Sequence, residues 1–205
     1  MMRTLPLVAI LLLFVIAGGW RPWLQYRRHG SSGILLFRSG GLGNRLRDAG
    51  AVLVFTLLLG QAVVAAAWPE NLSPLIAHDS LAGLLLYGAG SLLMFAGLML
   101  LVTGQLHLGA SWRIGIEAGA RPGLVTHGLY RVSRNPIFLG LLVFVTDYAL
   151  TLPTVLSFVL LIALYLGIRQ QVAAEEAYLA ATYGEAFRDY ARRVGRFLPG
   201  VGKRR

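Results

Sequence analysis

Residues 137–167 read IFLGLLVFVTDYAL-TLP-TVLSFVLLIALYLG. Two apolar runs, 137–150 and 154–167, flank Thr151-Leu152-Pro153. Proline interrupts a helix, so a short break between two apolar runs predicts a tight helical hairpin. Working outward, further apolar runs cover roughly residues 5–19, 49–68 and 80–105. Their lengths approach what is needed to cross ~30 Å of hydrocarbon. The fold expected is all-α. It is a polytopic membrane bundle of about five transmembrane helices, with a C-terminal hairpin and amphipathic tail helices in the cytoplasm.

Composition agrees. The chain of 205 residues is 56% hydrophobic and 14% charged, with mean hydropathy +0.65. A soluble domain carries about 25% charged residues. No stretch is left for a separate soluble domain. Cysteine is absent, which excludes disulfides, thiolate metal sites and a cysteine nucleophile. No strand–helix–strand alternation appears, which excludes a Rossmann-type cofactor domain.

The net charge is +10, and the 19 basic residues include one lysine, Lys203. They cluster between the apolar runs, which points to membrane topology and anionic lipid rather than nucleic acid. Lys and Arg number 1 before the first run, then 6, 0, 4, 0 and 8 in successive connections and the tail. This alternation predicts an outside N-terminus and a cytoplasmic tail, in a multi-pass protein of the inner (plasma) membrane. Arg3 is the exception. The first run resembles a signal peptide, but no small-x-small cleavage site follows it. Trp20-Arg21-Pro22-Trp23 has the makeup of an interfacial belt, so a retained anchor is expected. Residues 20–48 read as a basic loop. Within it, Gly40-Gly41-Leu42-Gly43 follows no strand and reads as a flexible linker rather than a phosphate-binding turn. The connection 69–79 holds Glu70 and Asp79 and no basic residue.

Gly83, Gly90, Gly97 and Gly104 recur every seven residues, on one face of the third span. Small residues let helix backbones approach closely in lipid, so this is a packing seam. Gly115, Gly119 and Gly123 lie in a polar loop and make no such motif. Asp147 sits a turn from the predicted outer boundary and is expected to reach the interface in a structural role. Gln105 and His107 end the third span, and His127 stands before the next polar cluster. His29 and His78 are loop residues. No spacing of His and carboxylates suggests a metal site.

Two polar clusters remain that membrane helices do not explain. One is Tyr130-Arg131-Val132-Ser133-Arg134-Asn135-Pro136, and the other is Glu175-Glu176. The acidic pair opens an amphipathic pattern of Val172, Leu179, Tyr183, Phe187, Tyr190 and Val194, with a break expected at Gly184. Acids near a membrane surface need cations. Arg134 and Arg169 are the protein candidates, and a cationic ligand is the alternative.

Gly128-Leu129-Tyr130-Arg131-Val132-Ser133-Arg134-Asn135-Pro136-Ile137-Phe138-Leu139-Gly140 resembles the signature of the isoprenylcysteine carboxyl methyltransferase family, which is similar to the phospholipid N-methyltransferases. Glu175-Glu176, Leu179, Tyr183-Gly184, Phe187, Tyr190 and Arg196-x-x-Pro199 continue the match. Gln105-x-x-x-Gly109-x-Ser111-Trp112-Arg113 resembles the lead-in of bacterial members. The resemblance covers residues 104–199. It divides the chain into N-terminal membrane helices with a basic loop (1–103) and a methyltransferase-like region (104–205). Asn135 and Phe138 depart from the His and Tyr of the eukaryotic enzymes. The first loses imidazole chemistry and the second a hydroxyl.

The resemblance implies S-adenosyl-L-methionine as cofactor, with S-adenosyl-L-homocysteine as product. It implies a cofactor site drawn from Gly128, Tyr130, Arg131, Arg134, Asn135, Pro136, Phe138, Gly140, Glu175, Glu176 and Tyr183. Arg134 or Arg131 would meet the cofactor carboxylate. Glu175 or Glu176 would meet its ammonium or ribose hydroxyls, and Tyr130, Phe138 and Tyr183 would supply apolar and cation–π surface. Arg134, Glu175, Glu176 and Arg113 are the implied catalytic residues. Arg113, Arg169 or Arg193 would orient a carboxylate nucleophile. An amine nucleophile would instead need Glu175 or Glu176 as proton acceptor. The acceptor expected is a hydrophobic, lipid-like molecule entering from the bilayer. Sterol C14-reductases, which use NADPH, are similar in the same C-terminal half and supply the competing reading. A non-enzymatic membrane scaffold is the third.

Overall fold

The structure is a computed structural model that describes residues 4–38, 41–76, 80–114 and 123–203. Arg3, Gly40, His78, Asp79, Gly115, Gly119 and Arg121 lie outside the described residues. The architecture is an all-α, multi-pass membrane bundle. Its helices are α1 (Leu5–Leu13), α2 (Arg21–His29), α3 (Leu42–Ala67), α4 (Leu81–Leu108), α5 (Pro136–Thr151), α6 (Val155–Tyr183) and α7 (Glu185–Arg193). A π-helical stretch, Phe14–Trp20, joins α1 to α2, so residues 5–29 form one rod. No strand occurs among the described residues. Two isolated parallel bridges, Ile34 to Ile114 and Ser133 to Gly195, tie loops together.

Four segments, Leu5–His29, Leu42–Ala67, Leu81–Ser111 and Val155–Tyr183, are long and apolar enough to cross a membrane. The fifth apolar helix, α5, has 16 residues. It rises about 24 Å, short of a full hydrocarbon core. The basic loop expected over 20–48 is therefore smaller than its sequence suggested. Arg21 to His29 are helical and α3 begins at Leu42, so half of the proposed Gly40–Gly43 linker is helix. The interfacial belt Trp20-Arg21-Pro22-Trp23 falls inside this helical rod rather than after it.

The hairpin forms where Thr151-Leu152-Pro153 places it. Thr154 caps α6, its Oγ1 accepting from Ser157 N at 3.1 Å. Beyond Gly167 the sequence offers no helix breaker until Gly184. α6 accordingly runs on as one 29-residue helix of roughly 43 Å, longer than a bilayer core is thick. Its last turns project from the span and carry Glu175 and Glu176. Gly184 then turns the chain at φ 55° into α7.

The glycine seam lies along α5. A Cβ on Gly97 would stand 2.7 Å from Phe144 N, and one on Gly140 would stand 2.7 Å from Leu101 N. α4 and α5 thus cross in backbone contact. Gly90 faces Asp147 and Thr151, and Gly104 faces Ile137. Asp147 is buried at 2% exposure under Gly90 rather than at an interface. On the other side of α5, Tyr148 donates to Leu58 O at 2.8 Å, and Gln61 donates to Thr154 Oγ1 at 2.5 Å. These bonds join α3, α5 and α6 at the hairpin end. The core between the helices is apolar, built around Leu58, Phe144, Val145 and Val172.

Candidate active site

The site gathers at the end of the bundle opposite the hairpin, where α5 begins and α6 emerges. Gly128–Arg131 forms a short 3-10 turn, and Pro136 opens α5, its fixed φ suited to the first helical turn. Gly128 is held at φ +59°, and a Cβ there would meet the His107 ring at 2.7 Å. Both the backbone conformation and the close approach require glycine. His107 Nδ1 accepts from Leu129 N at 3.2 Å, and His127 stands edge-on to the same ring. The end of α4 thereby positions the turn that delivers Tyr130 and Arg134.

Arg134 is the centre of the arrangement. Its side chain is buried, and each of its five N–H groups is engaged. Nε and Nη2 donate to Glu176 Oε1 at 3.0 and 2.8 Å. Nη1 donates to Ala191 O and Val194 O at 2.8 and 2.7 Å, and Nη2 also reaches Gly202 O at 3.0 Å. Glu176 takes a second cation, since Arg196 Nη2 donates to its Oε2 at 2.6 Å. One buried carboxylate therefore lies between two guanidinium groups, while the chain after α7 wraps around the first. Asn135 Nδ2 donates to Arg196 O at 3.0 Å, and Arg134 N donates to Gly195 O at 2.9 Å. Gly195 allows that wrap, because a Cβ there would collide with Leu198 O.

Tyr130 and Tyr190 close the same region. The Tyr190 hydroxyl donates to Tyr130 O at 2.7 Å. Burial pushes the Tyr130 hydroxyl well above the usual tyrosine range, with the nearby charge of Glu175 adding to it. Burial raises Tyr190 as well, against the pull of Arg134. Tyr183 packs against the buried cluster of Phe187, Tyr190, Ala191 and Val194, as does Leu124. Its hydroxyl is buried without a hydrogen-bond partner among the described residues.

Glu175 points away from this knot, as neighbouring residues on a helix do. Gln171 Nε2 donates to its Oε1 at 2.8 Å. Arg113 lies over the Tyr178 ring at 5.7 Å, one turn along α6 from Glu175.

The two sequence clusters thus meet through Arg134 and Glu176, with Tyr130, Asn135 and Tyr183 beside them. Arg113 approaches Glu175. Arg131 is exposed on the rim of the turn. Phe138 packs against the helical core, and Gly140 lies in the α4–α5 crossing. Of the other cations named from sequence, Arg169 is exposed near Tyr165, and Arg193 is exposed on α7 beside Asp189 and Arg192.

Sequence reasoning did not find Arg196 as the second partner of Glu176. Its one signal was its place in the tail motif. Nor did it find the lock between Arg21 and the loop after α4. There the guanidinium stacks on Trp112 at 4.5 Å and donates to Gly109 O at 2.8 Å. No group of His, Cys, Asp and Glu among the described residues could hold a metal ion.

Comparisons place the chain among known proteins by family and fold. The sequence profile of the phospholipid methyltransferase family matches residues 82–186. In fold, the chain is similar to a solved eukaryotic intramembrane Ras methyltransferase, ICMT (isoprenylcysteine carboxyl methyltransferase). The TM-score is 0.52 at 17% identity, covering 97% of this chain and 88% of that one. A search of curated proteins finds no match.

Proposed function

The chain belongs to the phospholipid methyltransferase family, and on that premise we propose that this integral membrane methyltransferase uses S-adenosyl-L-methionine to methylate a lipid-like acceptor from the bilayer. The observation that carries the reading is the meeting of Arg134 with Glu176. It joins the two polar clusters at one end of the bundle, with Tyr130 and Tyr183 beside the pair and Glu175 on the neighbouring face of α6. We place this end and the C-terminus on the cytoplasmic side of the plasma membrane. Residues 104–205 then carry the chemistry, and residues 1–103 support it.

The residues present fit the cofactor by chemistry. Glu175 supplies a carboxylate for its ammonium or ribose hydroxyls. The unpartnered Tyr183 hydroxyl supplies a buried polar contact, with Tyr130 as aromatic surface. Arg134 spends its donors on Glu176 and the tail. The exposed Arg131 is then the available cation for the cofactor carboxylate. Arg134 and Glu176 act as positioning residues that hold the turn before α5 against α6 and α7.

When bound, the sulfonium supplies a methyl group for in-line displacement. The protein's part is to orient the acceptor and exclude water from it. Arg113 orients a carboxylate acceptor, which needs no base. An amine acceptor would instead hand its proton to Glu175.

The test uses full-length protein in nanodiscs of a bacterial total lipid extract, with S-adenosylmethionine labelled in the methyl group. Label entering the organic phase supports the reading. Release of that label by mild base identifies a methyl ester, and resistance to base identifies methylated nitrogen. Folded protein that transfers no label to lipid, and binds NADPH instead, would contradict it.

A further inference from the structure

The N-terminal rod reaches the loop after α4 through one buried arginine, Arg21, which is 3% exposed. Leu13, the last residue of α1, is buried and marks the face the rod turns to the bundle. At about 100° per residue, Arg21 and Gln25 would stand roughly 80° and 120° round from that face. Phe14–Trp20 is π-helical instead. Its wider turns, of roughly 4.4 residues, bring both side chains to within about 50° of Leu13. The change of winding aims two polar groups at the chain after α4.

There Arg21 Nη2 donates to Gly109 O at 2.8 Å and to Gln105 O at 3.4 Å. Gln25 Nε2 donates to Ala110 O at 3.0 Å, and Arg21 Nη1 donates to Gln25 Oε1 at 2.9 Å. The guanidinium lies over the Trp112 ring at 4.5 Å. The segment after α2 holds the same loop further along. Ile114 N donates to Gly33 O at 2.7 Å, and Leu35 N donates to Ile114 O at 2.8 Å. A Cβ on Gly33 would stand 2.9 Å from the Trp112 ring, so the Gly33 backbone lies directly against it. Phe37 N donates to Asp48 Oδ2 at 2.6 Å and ties this segment to α3.

Arg113 stands between two held residues. Trp112 before it is buried beneath Arg21, and Ile114 after it has both backbone groups bonded to the 33–35 segment. The Arg113 side chain is half-buried and lies over Tyr178 of α6. Its backbone cannot shift without breaking contacts on both sides. Residues 21–35, which make those contacts, lie outside the family match at 82–186.

We infer that Arg21 is a positioning residue of the active site, setting Arg113 against α6 by clamping residues 109–114 to the N-terminal rod. The inference rests on the methyltransferase reading for what Arg113 meets. The clamp itself stands on the geometry. Arg21 acts through Trp112 and backbone carbonyls, so the N-terminal rod is needed for methyl transfer and not for holding the cofactor.

The experiment compares wild type, Arg21→Gln and Arg28→Gln at full length in nanodiscs of a bacterial total lipid extract. Arg28 is exposed on the same helix and is the control. Three quantities are read: methyl label entering the organic phase, S-adenosylhomocysteine affinity, and hydrogen exchange over residues 106–114. Arg21→Gln should lower transfer by about tenfold to a hundredfold, the scale of a misplaced reacting group. Its exchange over 106–114 should quicken while its S-adenosylhomocysteine affinity matches wild type. Arg28→Gln should match wild type in all three. The chain has no cysteine, and Ile34 and Ile114 are bridge partners. Ile34→Cys with Ile114→Cys, joined by a short reducible linker, should restore transfer to Arg21→Gln, and reduction should remove it again. That recovery separates a misplaced loop from a misfolded protein.

Transfer by Arg21→Gln equal to wild type would overturn the inference. So would a loss that the linker does not restore, or an equal loss of S-adenosylhomocysteine affinity. If wild type itself transfers no label, the methyltransferase reading falls and exchange alone judges the clamp. Quickened exchange in Arg21→Gln would then uphold the clamp, and unchanged exchange would overturn it.

Discussion

Arg134 and Glu176, 42 residues apart in the chain, meet at 2.8 Å with side chains 2% and 3% exposed. Such a pair does not make a protein stable merely by being buried, because both charges lose their hydration. What it does is fix one arrangement. Arg134 accepts no substitute geometry once Glu176 has taken two of its N–H groups and Ala191, Val194 and Gly202 one each.

Removing one partner should therefore cost more than the pair is worth. Arg134→Ala removes the cation closest packed on the buried Glu176, and about 3–5 kcal/mol of stability should be lost. Arg196→Ala should cost less, since that side chain is 35% exposed and water can replace it. Chemical denaturation in a fixed detergent measures both. Equal losses would show that the Arg134 contacts do not differ in kind from those at the surface.

The α4–α5 crossing makes a second prediction. Gly97→Ala places a methyl group 2.7 Å from Phe144 N and must push the helices apart. A loss of about 1–3 kcal/mol is expected. Gly88→Ala, on the same helix with nothing within 4 Å, is the control. It should be neutral or stabilise by roughly 0.5–1 kcal/mol through helix propensity. Thermal melts of the two variants side by side decide the matter.

Much of this fold was legible in the chain. Thr151-Leu152-Pro153 gives the hairpin because proline breaks a helix locally. The seven-residue glycine repeat gives the face that α5 covers, because helical periodicity is a property of one segment. Gly184 announces the end of α6 in the same way. What stayed hidden needed a partner to be visible. Gly140 belongs to the motif that resembles a cofactor signature, yet its tight contact is with Leu101 of α4. Arg196 reads as one more tail cation until the turn after α7 brings it to Glu176. Arg21 reads as an interfacial anchor until Trp112 is placed beneath it. Contacts between segments depend on the fold, and composition does not encode them.

Alkaline pH should loosen the C-terminal cap. The hydroxyls of Tyr130 and Tyr190 lie above their ordinary value near 10, so the folded chain holds these protons more tightly than the unfolded chain does. Their contribution to stability is whole below about pH 10 and is lost as pH rises from there toward the folded values. Tyrosinate absorbance should show a fraction of the eight tyrosines ionising late, together with unfolding. Tyr190→Phe should reduce that late fraction and cost about 1 kcal/mol for the bond to Tyr130 O. Ionisation of every tyrosine in one ordinary titration would contradict the packing described.

Titration calorimetry with S-adenosylhomocysteine, on wild type and on Glu175→Ala, tests the central claim most directly. Wild type should bind with one-site stoichiometry. Glu175→Ala should weaken binding at least about tenfold, as loss of a charged hydrogen-bond partner does, while keeping the melting temperature of wild type. Wild type that is folded and binds none of the nucleoside, or a Glu175→Ala variant with unchanged affinity, would show that the site built around Arg134, Glu176 and Glu175 does not hold this cofactor.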